Sequence, residues 1–265
     1  MERFSCWVTS QGWLFLLDPL SLRTVLWDPI TLRKVKLPPM ELDLPKQCKC
    51  ILSAQPTDPN CFVVIIDRTN SIFWYCHSRE NKWVKYKCPI SKINLESIVL
   101  MKSNIYHYDF CNENLVIFGF GSSLDVTTLP VKRCKFPAGL YMRQHYLLES
   151  RGDLFLVFFW FLRCTLRTIA HICVWKMDIS KQAWFPVESL DDRVFFVSGM
   201  SGFAASRSAR ELGVKRNCIY FVNSDDKYLH IFDMEEGTIA THNPCPNPNL
   251  NVSWCEPFFM VPISR

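Results

Sequence analysis

Glycine is scarce in this chain, with 9 residues among 265. Phosphate cradles of the Walker or dinucleotide-binding kind need two or three glycines at fixed spacing. The nearest approach, Gly119-Phe120-Gly121-Ser122-Ser123, has no third glycine and no following Gly-Lys-Ser/Thr, and reads as a tight turn between strands. Gly199-Met200-Ser201-Gly202 misses the Gly-x-Ser-x-Gly spacing of a nucleophile elbow. Long hydrophobic runs are missing as well. The longest spans residues 154–162, well short of the ~20 residues a membrane-crossing helix needs. The start, Met1-Glu2-Arg3-Phe4-Ser5-Cys6-Trp7, lacks the basic region and apolar core of a secretory leader. Sustained helical periodicity is nearly absent, and no Cys-x-x-Cys pair occurs.

What is abundant is apolar and aromatic: 49% hydrophobic, with 20 Phe and 9 Trp. That excludes a disordered chain and favours broad sheets over a helical bundle. Proline (16) outnumbers glycine, so turns are frequent and loops stiff. The 13 cysteines are odd in number, and Cys61, Cys173 and Cys218 sit inside apolar strand-like runs, where cysteine acts as a small hydrophobe. The expectation is a reduced compartment, cytoplasm or nucleus, with the sequon Asn251-Val252-Ser253 left unmodified. A net charge of +5 is mild and no nucleic-acid footprint by itself.

The recurring unit is a short apolar run, a polar turn and a second apolar run. It appears around Asp18, Ser78, Asp109, Asp178 and Asp233, each turn flanked by β-branched or aromatic residues. A degenerate period near ~50 residues with several strands per unit is the mark of a kelch-like β-propeller; a β-sandwich needs no such period. The nine-residue run 154–162 lacks the alternation of a half-exposed strand, so both faces should be covered, with Asp153 and Arg163 marking the return to solvent. Residues 37–45 and the prolines 244, 246 and 248 read as connectors. Helix is expected for a turn or two at most, for instance within 204–212, stopped by Gly213.

Ordered stretches carry a family likeness. Gly12-Trp13-Leu14 is followed by Leu26-Trp27-Asp28-Pro29-Ile30-Thr31 with Lys36-Leu37-Pro38-Pro39, then Cys50-Ile51-Leu52-Ser53 and Cys61-Phe62-Val63-Val64. Further on come residues 146–157 (YLLESRGDLFLV), 189–196 (SLDDRVFF), Asn217-Cys218-Ile219-Tyr220-Phe221 and residues 232–237 (FDMEEG). Together they resemble the plant F-box-associated, KIB-type β-propellers. The resemblance implies a single kelch-like propeller of five to seven blades over 12–265, behind a short lead-in, 1–11, that holds no F-box and leaves the N-terminal blade open to being incomplete. It also implies a protein-binding, substrate-receptor-like role. Without an F-box, a ubiquitin-ligase scaffold is not expected as a partner.

Candidate chemistry is thin. Cys48-Lys49-Cys50 places two thiols on one strand face, and His107 and Cys111 are four apart, but neither makes a paired zinc spacing; scattered core thiols are expected, and no metal or cofactor. His77, His145, His171, His230 and His242 stand alone. Three basic clusters remain: Arg33-Lys34 with Lys36, Lys132-Arg133 with Lys135, and Arg207, Arg210, Lys215 and Arg216. The last lies in an expected inter-blade loop, where recognition residues sit on rigid scaffolds, and arginine grips carboxylate or phosphate bidentately. It is the candidate protein-binding site. Nucleic acid would need aromatics interleaved with the charge, and these sit in strands instead. Two other readings stay open: a propeller enzyme working at a channel mouth, and a truncated product of a duplicated locus with no retained function.

Overall fold

The computed structural model describes residues 4–41, 44, 48–67, 70–77, 82–88, 97–120, 124–132, 134, 139–162, 168–198, 202–222 and 228–243. Among them, 21 strands form five sheets and one helical turn interrupts them. The chain divides into two compact units, residues 1–95 with 260–265, and residues 96–259. No helix among the described residues is long and apolar enough to cross a membrane.

The first unit holds two four-stranded antiparallel sheets. The first runs β1 (Ser5–Val8), β2 (Leu14–Leu17), β3 (Thr24–Trp27) and β4 (Lys34–Leu37). The second runs β5 (Cys48–Leu52), β6 (Phe62–Asp67), β7 (Ile72–His77) and β8 (Val84–Lys87). Phe15, Leu26 and Leu37 of the first sheet share one core with Cys50, Val63, Ile65 and Trp74 of the second. Trp83 closes it: its indole N–H donates to the Pro38 carbonyl at 2.8 Å. The first sheet has all four strands, so the incomplete N-terminal blade does not arise; the lead-in itself supplies β1.

The second unit holds three sheets. One runs β9 (Ile98–Met101), β10 (Asn104–Asp109), β11 (Asn114–Phe120) and β12 (Leu124–Pro130). The next runs β13 (Leu140–Ser150), β14 (Asp153–Leu162), β15 (Ile169–Asp178) and β16 (Ala183–Val187). The last comprises β17 (Arg193–Ser198), β18 (Phe203–Ser208), β19 (Cys218–Val222), β20 (Leu229–Asp233) and β21 (Thr238–His242). Its order is β18-β17-β19-β20-β21, and β19 lies parallel to β17. The chain reaches that place by turning back through α1 (Ala209–Leu212) after the hairpin β17–β18.

β14 explains the unalternating run. Phe155, Val157, Phe159 and Phe161 enter the core shared with the last sheet, while Leu154, Leu156, Phe158 and Trp160 enter the core shared with the β9–β12 sheet. Both faces are covered as expected, except that Leu162 is 40% exposed. Arg163 lies outside the described residues. The helix expected within 204–212 is limited to one turn, because Phe203, Ala204 and Ala205 are buried in the ladder with β17, and tertiary pairing overrides alanine's helix propensity. Ser208 caps that turn by accepting from the Glu211 N–H, and Gly213 ends it at φ 66° as expected.

Candidate functional site

The connections β13–β14 and β15–β16, the start of β17 and the β20–β21 turn carry the polar residues that gather at one end of the fourth and fifth sheets. Aspartates build this end. At Asp178 and Asp233, a carboxylate oxygen accepts from backbone N–H groups two or three residues on: Lys181 at 3.1 Å, Glu235 at 2.9 Å and Glu236 at 3.1 Å. The Ser180 hydroxyl adds a bond at 2.6 Å, and these bonds hold the Asp178 carboxyl down to about 2. The β13–β14 hairpin turns on Arg151 (φ 53°) and Gly152 (φ 83°), the two left-handed residues a tight type I′ turn needs.

Asp192 ties the sheets together. Its carboxylate accepts from the Ser208 hydroxyl at 2.7 Å and from Arg151 of the neighbouring sheet at 3.4 Å. The Ser208 bond is the main reason its carboxyl sits below the usual range. Asn217 supports the same loop from below. It is buried, its side-chain oxygen accepts from the Leu190 N–H at 2.7 Å, and its backbone N–H donates to the Arg193 carbonyl at 3.1 Å.

The four cations of the candidate site are not equivalent. Arg207, at the end of β18, is half-buried and donates to the Ser206 carbonyl at 2.7 Å. Burial lowers its pKa, with Glu149 and Glu211 pulling the other way. Lys215 is paired with Asp233 and lies 3.5 Å from Glu236, and the Asp233 hydrogen bond raises its pKa. Arg210 on α1 and Arg216 in the following loop are exposed and form no ion pair among the described residues. The structure therefore strings the four from the end of β18 through α1 to the loop before β19, and leaves two of them as outward charges.

A cleft of about 510 Å³ that the sequence did not announce lies at the β13–β14 and β15–β16 turns. Met101, Leu154, Met177 and Pro186 give it an apolar lining. On its rim Ile179 and Phe185 are each 44% exposed, and Lys181 stands 5.1 Å from the Phe185 ring centroid. Lys176 pairs with Asp153 at 2.8 Å, and Lys181 with Asp178 at 3.1 Å. An exposed aromatic on the rim of a methionine-lined cleft suits the apolar anchor of a polypeptide, and the outward arginines suit an acidic segment.

The remaining motifs are structural. Among the described residues no group of three potential ligands is placed to hold a metal. Cys48 and Cys50 face one core, and burial drives their pKa values far up, so both stay thiols. Cys111 is exposed in the Asp109 turn, whereas His107 is buried. The sequence shows no link between His107 and His145, yet His107 on β10 acts electrostatically on His145 on β13. His107 hydrogen-bonds the Ser97 carbonyl at 3.1 Å, His145 stacks on Phe158 at 5.8 Å, and burial lowers both to about 4. Lys132 is exposed and joins Ala183 by an isolated bridge. Arg133, Lys135, Gly121 to Ser123 and the Gly199–Ser201 stretch lie outside the described residues, as do Asn251-Val252-Ser253 and the three prolines.

No curated protein sequence matches the chain. Among solved structures it is similar to the catalytically inactive H270A virginiamycin B lyase from Staphylococcus aureus with quinupristin, at 10% identity and a TM-score of 0.44, over 94% of this chain and 72% of that one. The profile of the KIB1-4 beta-propeller family matches residues 1–243. Its residues span all five sheets found among the described residues, and the chain belongs to the KIB1-4 β-propeller family.

Proposed function

We propose that this propeller, kelch-like in its repeat of roughly 50 residues, is a non-catalytic receptor for another protein, of the kind that recognises substrates in F-box ubiquitin ligases. Family membership carries the reading. Its support in this chain is the end of the fourth and fifth sheets, where Ile179 and Phe185 of the fourth present apolar surface and Arg210 and Arg216 of the fifth sheet's β18–β19 connection present outward charge. Rigid hairpins hold these groups in place before a partner arrives, which lowers the ordering cost of binding. His107 and His145 are both buried, His145 stacked on Phe158, and they serve packing.

Affinity purification of the tagged chain from native extract tests the reading. A partner protein recovered in near-equal amount, and lost when Arg210 and Arg216 are both changed to Glu in a chain that still melts normally, is the expected result. Ligase scaffold subunits in the same eluate would place the receptor inside a ligase. An eluate with no stoichiometric partner would refute the receptor role.

A further inference from the structure

The first sheet repeats one turn twice, ten residues apart in sequence. Asp18-Pro19-Leu20-Ser21-Leu22-Arg23 joins β2 to β3, and Asp28-Pro29-Ile30-Thr31-Leu32-Arg33 joins β3 to β4. The two copies are built alike. Asp18 accepts from the Leu20 N–H and Asp28 from the Ile30 N–H, both at 3.0 Å. The hydroxyls of Ser21 and Thr31 donate to the same carboxylates. Each turn is closed by an aspartate N–H on the arginine carbonyl, at 3.0 and 2.9 Å. Each puts its second leucine in the left-handed region, Leu22 at φ 57° and Leu32 at φ 60°. A branched, bulky side chain is rarely found there.

The copies differ in what their apolar side chains do. Leu22 packs against the core of the first unit, and its carbonyl accepts from the Met40 N–H at 2.8 Å. That packing compensates its backbone. Leu32 is 68% exposed and Ile30 58% exposed, so the second copy keeps the same strained backbone with its aliphatic groups in water. The charges differ too. After the first copy, only Arg23 precedes the apolar strand β3. After the second come Arg33, Lys34 and Lys36, all exposed and forming no ion pair among the described residues. Lysines on an edge strand such as β4 discourage strand addition, but two exposed aliphatic groups at its mouth serve no such purpose.

We propose that the 28–33 turn is a preformed docking knob: Ile30 and Leu32 enter an apolar pocket on a partner protein whose acidic rim faces Arg33, Lys34 and Lys36. The surface is separate from the one at the fourth and fifth sheets and stands on its own observations. Charge selects the occupant. Three exposed cations, in no ion pair among the described residues, beside two aliphatic groups complement an apolar pocket bordered by carboxylates. An anionic bilayer is a poorer match, since the Asp28 carboxylate sits at the base of the knob and the turn carries no Trp or Tyr for the headgroup layer.

The test places a photo-crosslinking amino acid, p-benzoylphenylalanine, at position 30 or, as control, at position 20. Leu20 is 90% exposed on the twin turn, so accessibility alone would favour the control. After irradiation in native extract, position 30 should give an adduct with one protein, and sequencing should place the link in an apolar segment flanked by Asp and Glu. Combined Arg33→Glu, Lys34→Glu and Lys36→Glu in a chain with an unchanged melting curve should cut the yield about ten-fold or more, as should raising salt from ~0.05 to ~0.5 M. Arg210→Glu with Arg216→Glu should leave this adduct in place, so the two surfaces fail separately. The proposal is overturned by no adduct at position 30, by equal adducts from position 20, or by a yield indifferent to the charge reversal. It is overturned equally by Ile30-dependent flotation with phosphatidylcholine vesicles holding about 30% phosphatidylserine, which would make lipid the occupant.

Discussion

Truncating Phe158 to alanine isolates the claim that β14 is buried on both faces. Its ring is fully buried, with ring centroids of His145, Phe110 and Trp160 at 5.8, 6.2 and 6.1 Å. Removing a buried phenylalanine costs about 3–5 kcal/mol, and each lost aromatic pair adds about 0.5–1.5 kcal/mol beyond area, so Phe158→Ala belongs near the top of the range, about 4–5 kcal/mol. The adjacent Phe159 points to the opposite core, with Phe221 at 5.0 Å and Tyr146 at 5.7 Å, so Phe159→Ala should cost nearly as much. At about 2–4 °C per kcal/mol for a domain of this size, each lowers the melting temperature by roughly 8–20 °C. Leu162→Ala, at the exposed end of the strand, should cost under ~1 kcal/mol. Phe158→Asp buries an unpaired carboxylate and should unfold the second unit outright. Thermal melts by circular dichroism read all four. Two neighbours failing together is the signature of a two-faced strand. A Phe158 or Phe159 variant that melts within about 3 °C of wild type would show one face open and refute the reasoning.

Acid should weaken the fold through His107 and His145. Burial holds both near a pKa of about 4, against ~6.5 when unfolded, so the unfolded chain binds their protons first and stability, complete above pH ~6.5, drains as pH falls toward 4. The loss is at most about 3 kcal/mol per histidine, and melting curves from pH 7.5 to 5 in wild type and His145→Phe should show the slope shrink in the variant; an unchanged slope contradicts the assignment. Asn217→Ala should cost about 2–3 kcal/mol, from the orphaned Leu190 N–H and from alanine at φ 57°, whereas Asn217→Gly should recover only the backbone part; equal melts for the two would be evidence against the strain. Mass-mapped alkylation of the native protein should label Cys111 early and Cys50 only on unfolding, with early labelling of Cys50 counting against the first core.

The hairpins at Asp18, Asp109, Asp178 and Asp233 were legible because each combines aromatic strands with an aspartate that can hold its own turn, whereas the turn at Ser78 lies outside the described residues. Their phase was not. Asp178 and Asp233 occupy the outer hairpin of their sheets, whereas Asp18 and Asp109 occupy inner ones, so a period read through these turns mixes two positions. An Asx turn looks the same in either place, and only pairing distinguishes them. β14 was legible because burial on both faces erases alternation. The parallel pair β17–β19 was not, since α1 and its loop put the partner strands far apart in sequence. At the candidate site the basic loop could be read directly, but the partners of Lys215 and Arg207 could not. Asp233 reaches Lys215 from another hairpin, and Glu149 acts on Arg207 from another sheet. Within the 189–196 stretch, Asp191 takes a left-handed φ of 55°, a conformation glycine adopts without strain and aspartate tolerates.

The central claim is that this propeller recognises a protein through the end of its fourth and fifth sheets. The most direct test is the dissociation constant of the purified partner, measured on wild type and on the Arg210→Glu, Arg216→Glu chain with matched melting curves. A loss of affinity of about ten-fold or more, worth about 1.4 kcal/mol, is the predicted result. An unchanged constant would show that the partner binds elsewhere and would contradict the assignment.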